Sequence, residues 1–200
     1  MICVYCGKII NKYTLTSLFL EEDVLCCDCR SLLKINKKHI NIDSLKVETF
    51  YDYNGMFKDM LIQYKECFDE ALANVFLYTL KDYIKYKYFG YKIMLIPSSN
   101  EKLRLRGFNH LELIFKPVGL KMIDGLKMKE ELTQEGKNLR ERELMKNNYY
   151  YEGPLLDKVL LVDDVVTSGS SLLGAYRAIS TKSNRIRAIS LSYKKKTLSF

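Results

Sequence analysis

The residues of this chain best suited to chemistry lie between Lys158 and Ser171, in the run KVLLVDDVVTSGSS. Val159 to Val162 is a short apolar run with no polar alternation, which predicts a strand buried on both faces, as in a parallel sheet. Asp163 and Asp164 follow at its carboxyl end. Val166, Thr167, Ser168, Gly169, Ser170 and Ser171 then predict a small-residue turn, and residues 172–179 a helix. The backbone N–H groups of such a turn, with a helix N-terminus behind them, make an anion site. Ser and Thr hydroxyls add donors, and Gly169 allows close approach of backbone to a phosphate. Carboxylates repel phosphate, so Asp163 and Asp164 are expected to address sugar hydroxyls or a divalent cation next to it. Hydroxyl-seeking acids beside a phosphate cradle suit a ribose 5-phosphate. A strand running into an N-capped helix would account for one hydroxyl residue. It leaves two adjacent acids and four hydroxyls unexplained.

A second set of reactive groups sits at the N-terminus. Cys3 and Cys6 form one CxxC pair and Cys26 and Cys29 another, with nineteen residues between the pairs. Each pair brings two thiolates to the spacing that tetrahedral zinc needs, and the separation fits four-cysteine sites. Four thiolates leave no open position, so the expected role is structural. A module of this size has little core, and the metal is expected to supply most of its folding free energy. A redox CxxC explains one pair but not the second. Cys27 is a spare, and Cys67 lies in a helical pattern where packing is expected.

Composition narrows the setting. The 200 residues carry 32 Lys and Arg against 24 Asp and Glu, a net charge of +8, and are 48% hydrophobic. That is enough for one domain with an appendage, and the charge favours anionic partners such as nucleic acid. No run approaches the ~20 apolar residues of a membrane span. Cysteines stand where a signal peptide would need an apolar core, so a cytoplasmic protein with metal-bound or free thiols is expected.

The remaining elements must position these groups. Residues 47–53 predict a strand, and Asn54-Gly55 a turn. Met56, Phe57, Met60, Leu61 and Tyr64 recur at helical spacing. A second helix is expected from Ala71 to about Tyr88, with Leu72, Val75, Phe76, Thr79, Leu80, Tyr83 and Ile84 on one face and its tyrosines packed. His39 is expected at the surface, near the join between a zinc module over residues 1–42 and a main domain over residues 43–200. Residues 93–97 predict another buried strand. Ser98 and Ser99 follow it, then a basic loop with Arg104 and Arg106 that suits a pyrophosphate. Residues 126–148 carry eleven ionisable side chains, which predicts a solvated helix pair or a closing loop. Residues 185–193 predict a last strand, and Lys194 to Lys196 a basic tail. The alternation of strand and helix gives an α/β domain with a parallel sheet flanked by helices.

Several of these motifs occur in one order: the two cysteine pairs, the Tyr53-Asn54-Gly55 turn, Gln63-Tyr64-Lys65, the RxRGFN run from Arg104 to Asn109, and VDDVVTSGSS. Together they resemble the ComF (competence protein F) family over nearly the whole chain, and the last stretch resembles the signature of type I phosphoribosyltransferases. The resemblance implies a zinc module on a phosphoribosyltransferase-like fold. It implies binding of phosphoribosyl pyrophosphate (PRPP) with Mg²⁺, a role in DNA uptake during natural transformation, and a helicase partner, ComFA. Carried over by motif, Cys3, Cys6, Cys26 and Cys29 would hold zinc, and Asp163 to Ser171 the ribose 5-phosphate. Ser98, Ser99, Arg104 and Arg106 would face the pyrophosphate. Two departures stand out: His110 replaces a common Gln, and Gln134, Leu139, Arg142 and Asn147 have unusual spacing. Two further functions are compatible with these residues. One is a nucleic-acid-binding protein, with single-stranded DNA as ligand, that keeps the site as sensor or scaffold. The other is a nucleobase phosphoribosyltransferase.

Overall fold

The computed structural model describes residues 1–10, 23–98, 100–128 and 149–194. Five strands form the main sheet: β1 (Lys38–Ile42), β2 (Leu45–Asp52), β3 (Lys92–Leu95), β6 (Leu156–Val166) and β7 (Ser183–Tyr193). Their order is β1-β2-β7-β6-β3. Only the β1–β2 pairing is antiparallel; the other three are parallel. A small antiparallel pair, β4 (Leu126–Met128) and β5 (Tyr149–Tyr151), lies apart from this sheet. Helices flank the sheet: α1 (Cys27–Leu32), α2 (Gly55–Glu66), α3 (Ala73–Leu77), α4 (Lys81–Lys87), α5 (Asn100–Arg106), α6 (His110–Phe115) and α7 (Ser170–Ile179).

The apolar run identified in the sequence is the middle of β6. Val159, Leu160, Leu161 and Val162 are all fully buried, as a strand with neighbours on both sides and both faces covered must be. The strand continues past this run through Asp163 and Asp164 to Val166, because β7 extends beside it and pairs Asp163 with Ser190. The two acids are therefore held within the sheet, not on the loop after it. β3 stands last in the sheet order, yet Ile93 and Met94 are buried. Its outer edge is covered by backbone bonds from Ile93 N–H to the Lys121 carbonyl and from Ile123 N–H to the Ile93 carbonyl. Edge groups satisfied in this way do not invite pairing with another chain.

Three further expectations change. The single helix over residues 71–88 is instead a short 3-10 turn (Glu70–Leu72), α3 and α4, broken at residues 78–80. Two helical carbonyls are diverted there: Arg30 donates to the Val75 carbonyl at 3.1 Å and Tyr51 to the Phe76 carbonyl at 2.8 Å. Leu80 N–H turns to the Leu77 carbonyl. Thr79 is consequently exposed, not on the packed face, and Tyr86 is exposed as well. The basic loop after β3 is largely helix α5, with Arg104 and Arg106 in its last turn. Cys67 is exposed, not packed, because α2 ends at Glu66 and leaves it at the helix terminus.

The strand β1, which carries His39, was not anticipated. It pairs with β2 through a turn in which Asp43 takes φ 56. The main sheet thus begins inside the segment assigned to the zinc module. His39 is exposed as expected, 3.7 Å from the buried carboxylate of Glu48. Ser99, most of the ionisable stretch after Met128, and Lys195 and Lys196 lie outside the described residues.

Candidate functional site

Four elements converge on the end of β6. α2 contributes Lys65 from its last turn, α5 contributes Arg106, α6 contributes His110 from its first, and α7 contributes Ser171. With Asp163 and Asp164 these six residues line a pocket of about 290 Å³, and Ser98, Tyr149 and the apolar Ile96, Pro97, Leu111 and Met128 complete its wall. Successive strand residues project to opposite faces, and the two acids meet different surroundings. Asp164 is buried; its Oδ2 pairs with Lys65 and lies 2.7 Å from His110 Nε2, and its Oδ1 accepts the Val165 N–H at 2.6 Å. Asp163 is half-buried, and its Oδ1 accepts the Asp164 N–H at 2.9 Å. Among the described residues no protein donor reaches its other oxygen.

The helices aim these side chains by packing, not by local propensity. Tyr64, fully buried beside Phe76 and Phe108, donates to the His110 carbonyl at 2.7 Å and so ties α2 to the start of α6. Asn109 caps α6 by accepting the Glu112 N–H. Arg106 Nε donates to the Lys65 carbonyl at 3.1 Å, and its Nη1 lies 3.4 Å from His110 Nδ1. That contact makes Nδ1 the acceptor and Nε2 the N–H that donates to Asp164.

Electrostatics separate the acids. Burial raises the Asp164 pKa, but His110 and Lys65 outweigh it and hold the carboxyl well below the usual range. Burial and the Asp164 charge push Asp163 up to about 8. Burial keeps His110 below its ordinary value, the Asp164 contact opposing it only in part. A group whose pKa is raised on folding stabilises the fold below its unfolded value, and that contribution is lost as pH rises through the folded value. Asp163→Asn is therefore expected to match the wild type near pH 4 and to melt at higher temperature near pH 8. Calorimetric scans at the two pH values check this; a variant less stable at pH 8 would show that the charge is welcome there.

The turn after β6 is as the sequence predicts, and Gly169 also serves the packing of the fold. Thr167, Ser168 and Ser170 are exposed, Val166 is buried, and the Ser168 and Ser170 hydroxyls lie 2.8 Å apart. Gly169 is the residue before α7 at φ 75, and a Cβ there would meet Ile42 of β1 at 2.7 Å. The glycine is needed for backbone conformation and for the approach of β1. Gly169→Val is expected to lower stability by about 2 kcal/mol, measured by urea unfolding. Combining it with Ile42→Ala should recover the steric part.

The structure thus brings Asp163, Asp164, Ser171, Ser98 and Arg106 together, with Val166 to Ser170 adjoining. It leaves Arg104 exposed and outside the pocket lining. Sequence reasoning assigned no role to Lys65 or His110. Lys65 falls in the Gln63-Tyr64-Lys65 motif and His110 directly follows the RxRGFN run, which was the available signal.

At the other end of the chain, the Sγ atoms of Cys3, Cys6, Cys26 and Cys29 lie within 4.8 Å of one another, and those of Cys6 and Cys26 are 3.6 Å apart. Tetrahedral zinc with bonds near 2.3 Å places its sulfurs about 3.8 Å apart, so the cluster is compatible with a structural zinc. Gly7 takes φ 74 after Cys6, and its N–H bonds the Cys3 carbonyl. Cys27 is exposed and outside the group. Arg30 of α1 bonds both oxygens of Asp23 and reaches the Val75 carbonyl of α3, tying the cysteine-bearing segment to that helix.

Sheet order and flanking helices define an α/β protein with a mixed, mostly parallel sheet and a cluster of four cysteines. Competence protein ComFC of Streptococcus pneumoniae is 27% identical over 199 residues, covering 86% of this chain and 90% of that one. No family model matches the chain. The chain is thus similar to this competence protein over most of its length, in line with the order of its motifs. No helix among the described residues is long and apolar enough to cross a membrane.

Proposed function

We propose that this protein acts in DNA uptake during competence and binds PRPP, or a related ribose 5-phosphate, at the end of β6. The observation that carries the ligand is the half-buried Asp163, its Oδ2 unpaired among the described residues, ahead of the turn that leads through Gly169 into a ten-residue helix. In this reading the N–H groups around Thr167 to Ser171 hold the 5-phosphate, and the acid end of β6 addresses the ribose hydroxyls. PRPP chemistry breaks the bond between C1 and the pyrophosphate oxygen through an oxocarbenium-like state. Cations beside the leaving group balance its charge. Magnesium would accompany the pyrophosphate, with Asp163 the carboxylate free to meet it. The four cysteines hold zinc as a structural ion. The biological role and a ComFA-type helicase partner rest on the likeness to Competence protein ComFC.

One observation favours a second reading, in which nucleic acid is bound and the pocket is a sensor. Lys158 and Arg185 are register partners, Arg187 follows two residues on, and Lys46 precedes the residue paired with Ala188. These four cations share the amino-terminal end of the parallel strands. Glu48 nearby is already satisfied by Lys87, Tyr83 and Tyr88. Phe89 is 81% exposed, and a Cβ at the next residue, Gly90, would lie 3.7 Å from the Lys158 ammonium. Cations interleaved with an exposed aromatic suit single-stranded nucleic acid. Five residues of strand put this surface about 16 Å from Asp163, so both ligands fit at once.

Calorimetry with PRPP and magnesium, repeated with single-stranded DNA, tests the two readings. PRPP binding that survives saturation with DNA is expected. The DNA affinity is expected to fall steeply between low and physiological salt, and less steeply in Arg185→Ala with Arg187→Ala. A flat salt response would remove the electrostatic mode, and no heat with PRPP would remove the sugar-phosphate site.

A further inference from the structure

We propose that Lys65 is the cation that meets the diphosphate end of the ligand, and that Asp164 is a positioning residue that presents it. This inference rests on the PRPP reading above.

The bonding of each charged group leads to this division. Asp164 has almost no acceptor capacity left for a sugar. Its Oδ1 takes the Val165 N–H, its Oδ2 takes His110 and Lys65, and the residue is only 6% exposed. A carboxylate offers about four lone-pair positions, and three of them are used. Asp163 keeps an oxygen that no protein donor reaches among the described residues, and it lines the pocket. Recognition of the ribose hydroxyls therefore falls to Asp163.

The cations divide in the same way. Arg106 is committed: Nε to the Lys65 carbonyl, Nη1 toward His110, and Nη2 to Glu66 at 3.5 Å. Its side chain is 9% exposed, so it clamps the end of α2 and has little freedom to grip a ligand. Arg104 is exposed and away from the pocket. Lys65 differs from both. Its ammonium carries three N–H donors, and Asp164 is its one side-chain partner among the described residues. Two donors remain, at the tip of a side chain that lines the pocket and is one-fifth exposed. Asp164 holds that tip, and His110, itself fixed by Arg106 and by the Tyr64 bond to its carbonyl, holds Asp164. Diphosphate is the ligand group that matches a compact ammonium with two donors free. The 5-phosphate has its own cradle at the turn before α7.

The test compares PRPP, ribose 5-phosphate and inorganic pyrophosphate by calorimetry on the full chain with magnesium. Lys65→Met keeps the apolar stem and removes the charge. It is expected to weaken PRPP and pyrophosphate by about ten- to a hundred-fold, the range for a lost charge-assisted hydrogen bond, and ribose 5-phosphate less than two-fold. Asp164→Asn is expected to weaken PRPP in the same sense, and the double variant to bind it no worse than Lys65→Met alone. That non-additivity is what a purely structural role would not produce. Should Lys65→Met lose its native circular dichroism, Lys65→Gln takes its place. Equal loss of all three ligands, or a loss in Arg104→Ala with Lys65→Met unchanged, overturns the assignment of Lys65. A wild-type protein that binds ribose 5-phosphate and PRPP while Lys65→Met binds both unchanged overturns it too, and leaves the PRPP reading standing. A wild-type protein that binds none of the three overturns the PRPP reading together with this inference.

Discussion

Asp164→Ala is expected to cost the fold about 3–5 kcal/mol, the range for removing one partner of a buried ion pair. The loss is read as a fall in the urea midpoint at unchanged slope. Two donors would remain aimed at the vacancy: the Lys65 ammonium, on a side chain four-fifths buried, and the His110 Nε2–H, in a residue 5% exposed. Both α2 and α6 are fixed to β6 through this carboxylate, so the damage should not stay local. The pH dependence follows from the sign of the shift. Asp164 is held below the ordinary carboxylate value of 3.8, so it contributes stability above that value and loses it as pH falls through the folded one. The wild type should therefore lose more stability than Asp164→Ala on acidification. Asp163→Asn, one residue away, has the opposite expected sign at pH 8. Two variants of adjacent acids that shift the midpoint in the same direction at pH 8 would refute the division of the pair.

Chelation of the metal assigned to the four cysteines should have the second large effect. The free energy of binding structural zinc is on the order of 10 kcal/mol, and the few buried residues described in this segment offer no comparable source of stability. Among its described residues, Cys3, Leu25, Cys26, Cys29 and Leu33 are buried, and three of these five belong to the cysteine cluster. Cys29→Ser, or a chelator, is expected to unfold the segment before Lys38 while the parallel sheet persists. Elemental analysis should give one zinc per chain, and Cys27→Ser, at an exposed position, should leave both metal and fold intact. The disturbance should reach α3, because Arg30 would no longer be held against the Val75 carbonyl. Protein that retains its amide spectrum with substoichiometric metal would remove the zinc assignment.

Much of this was written in the chain itself. The buried strand β6, its acid pair and the turn into α7 are local in sequence. Their pattern depends on side-chain polarity at successive positions, which needs no knowledge of partners. The same holds for the four cysteines, where a short turn and the start of α1 set the spacing within each pair and only the meeting of the pairs awaited the fold. The apolar face of α2 was legible for the same reason: Phe57, Met60, Leu61 and Tyr64 recur at helical period and are all buried.

What only the tertiary structure decided concerns contacts between residues distant in sequence. The break between α3 and α4 depends on Arg30 and Tyr51 taking carbonyls that the helix would otherwise use. No propensity of residues 71–88 contains that information. β1 exists because β2 offers it an edge, and Gly169 is required because Ile42 of that strand lies against it. The acids look equivalent in sequence. They become different groups because strand alternation turns Asp164 toward Lys65 and His110, which lie 99 and 54 residues before it, and leaves one oxygen of Asp163 open to the pocket. A carboxylate's chemistry is set by the charges and donors within a few ångströms, and the fold alone determines which these are.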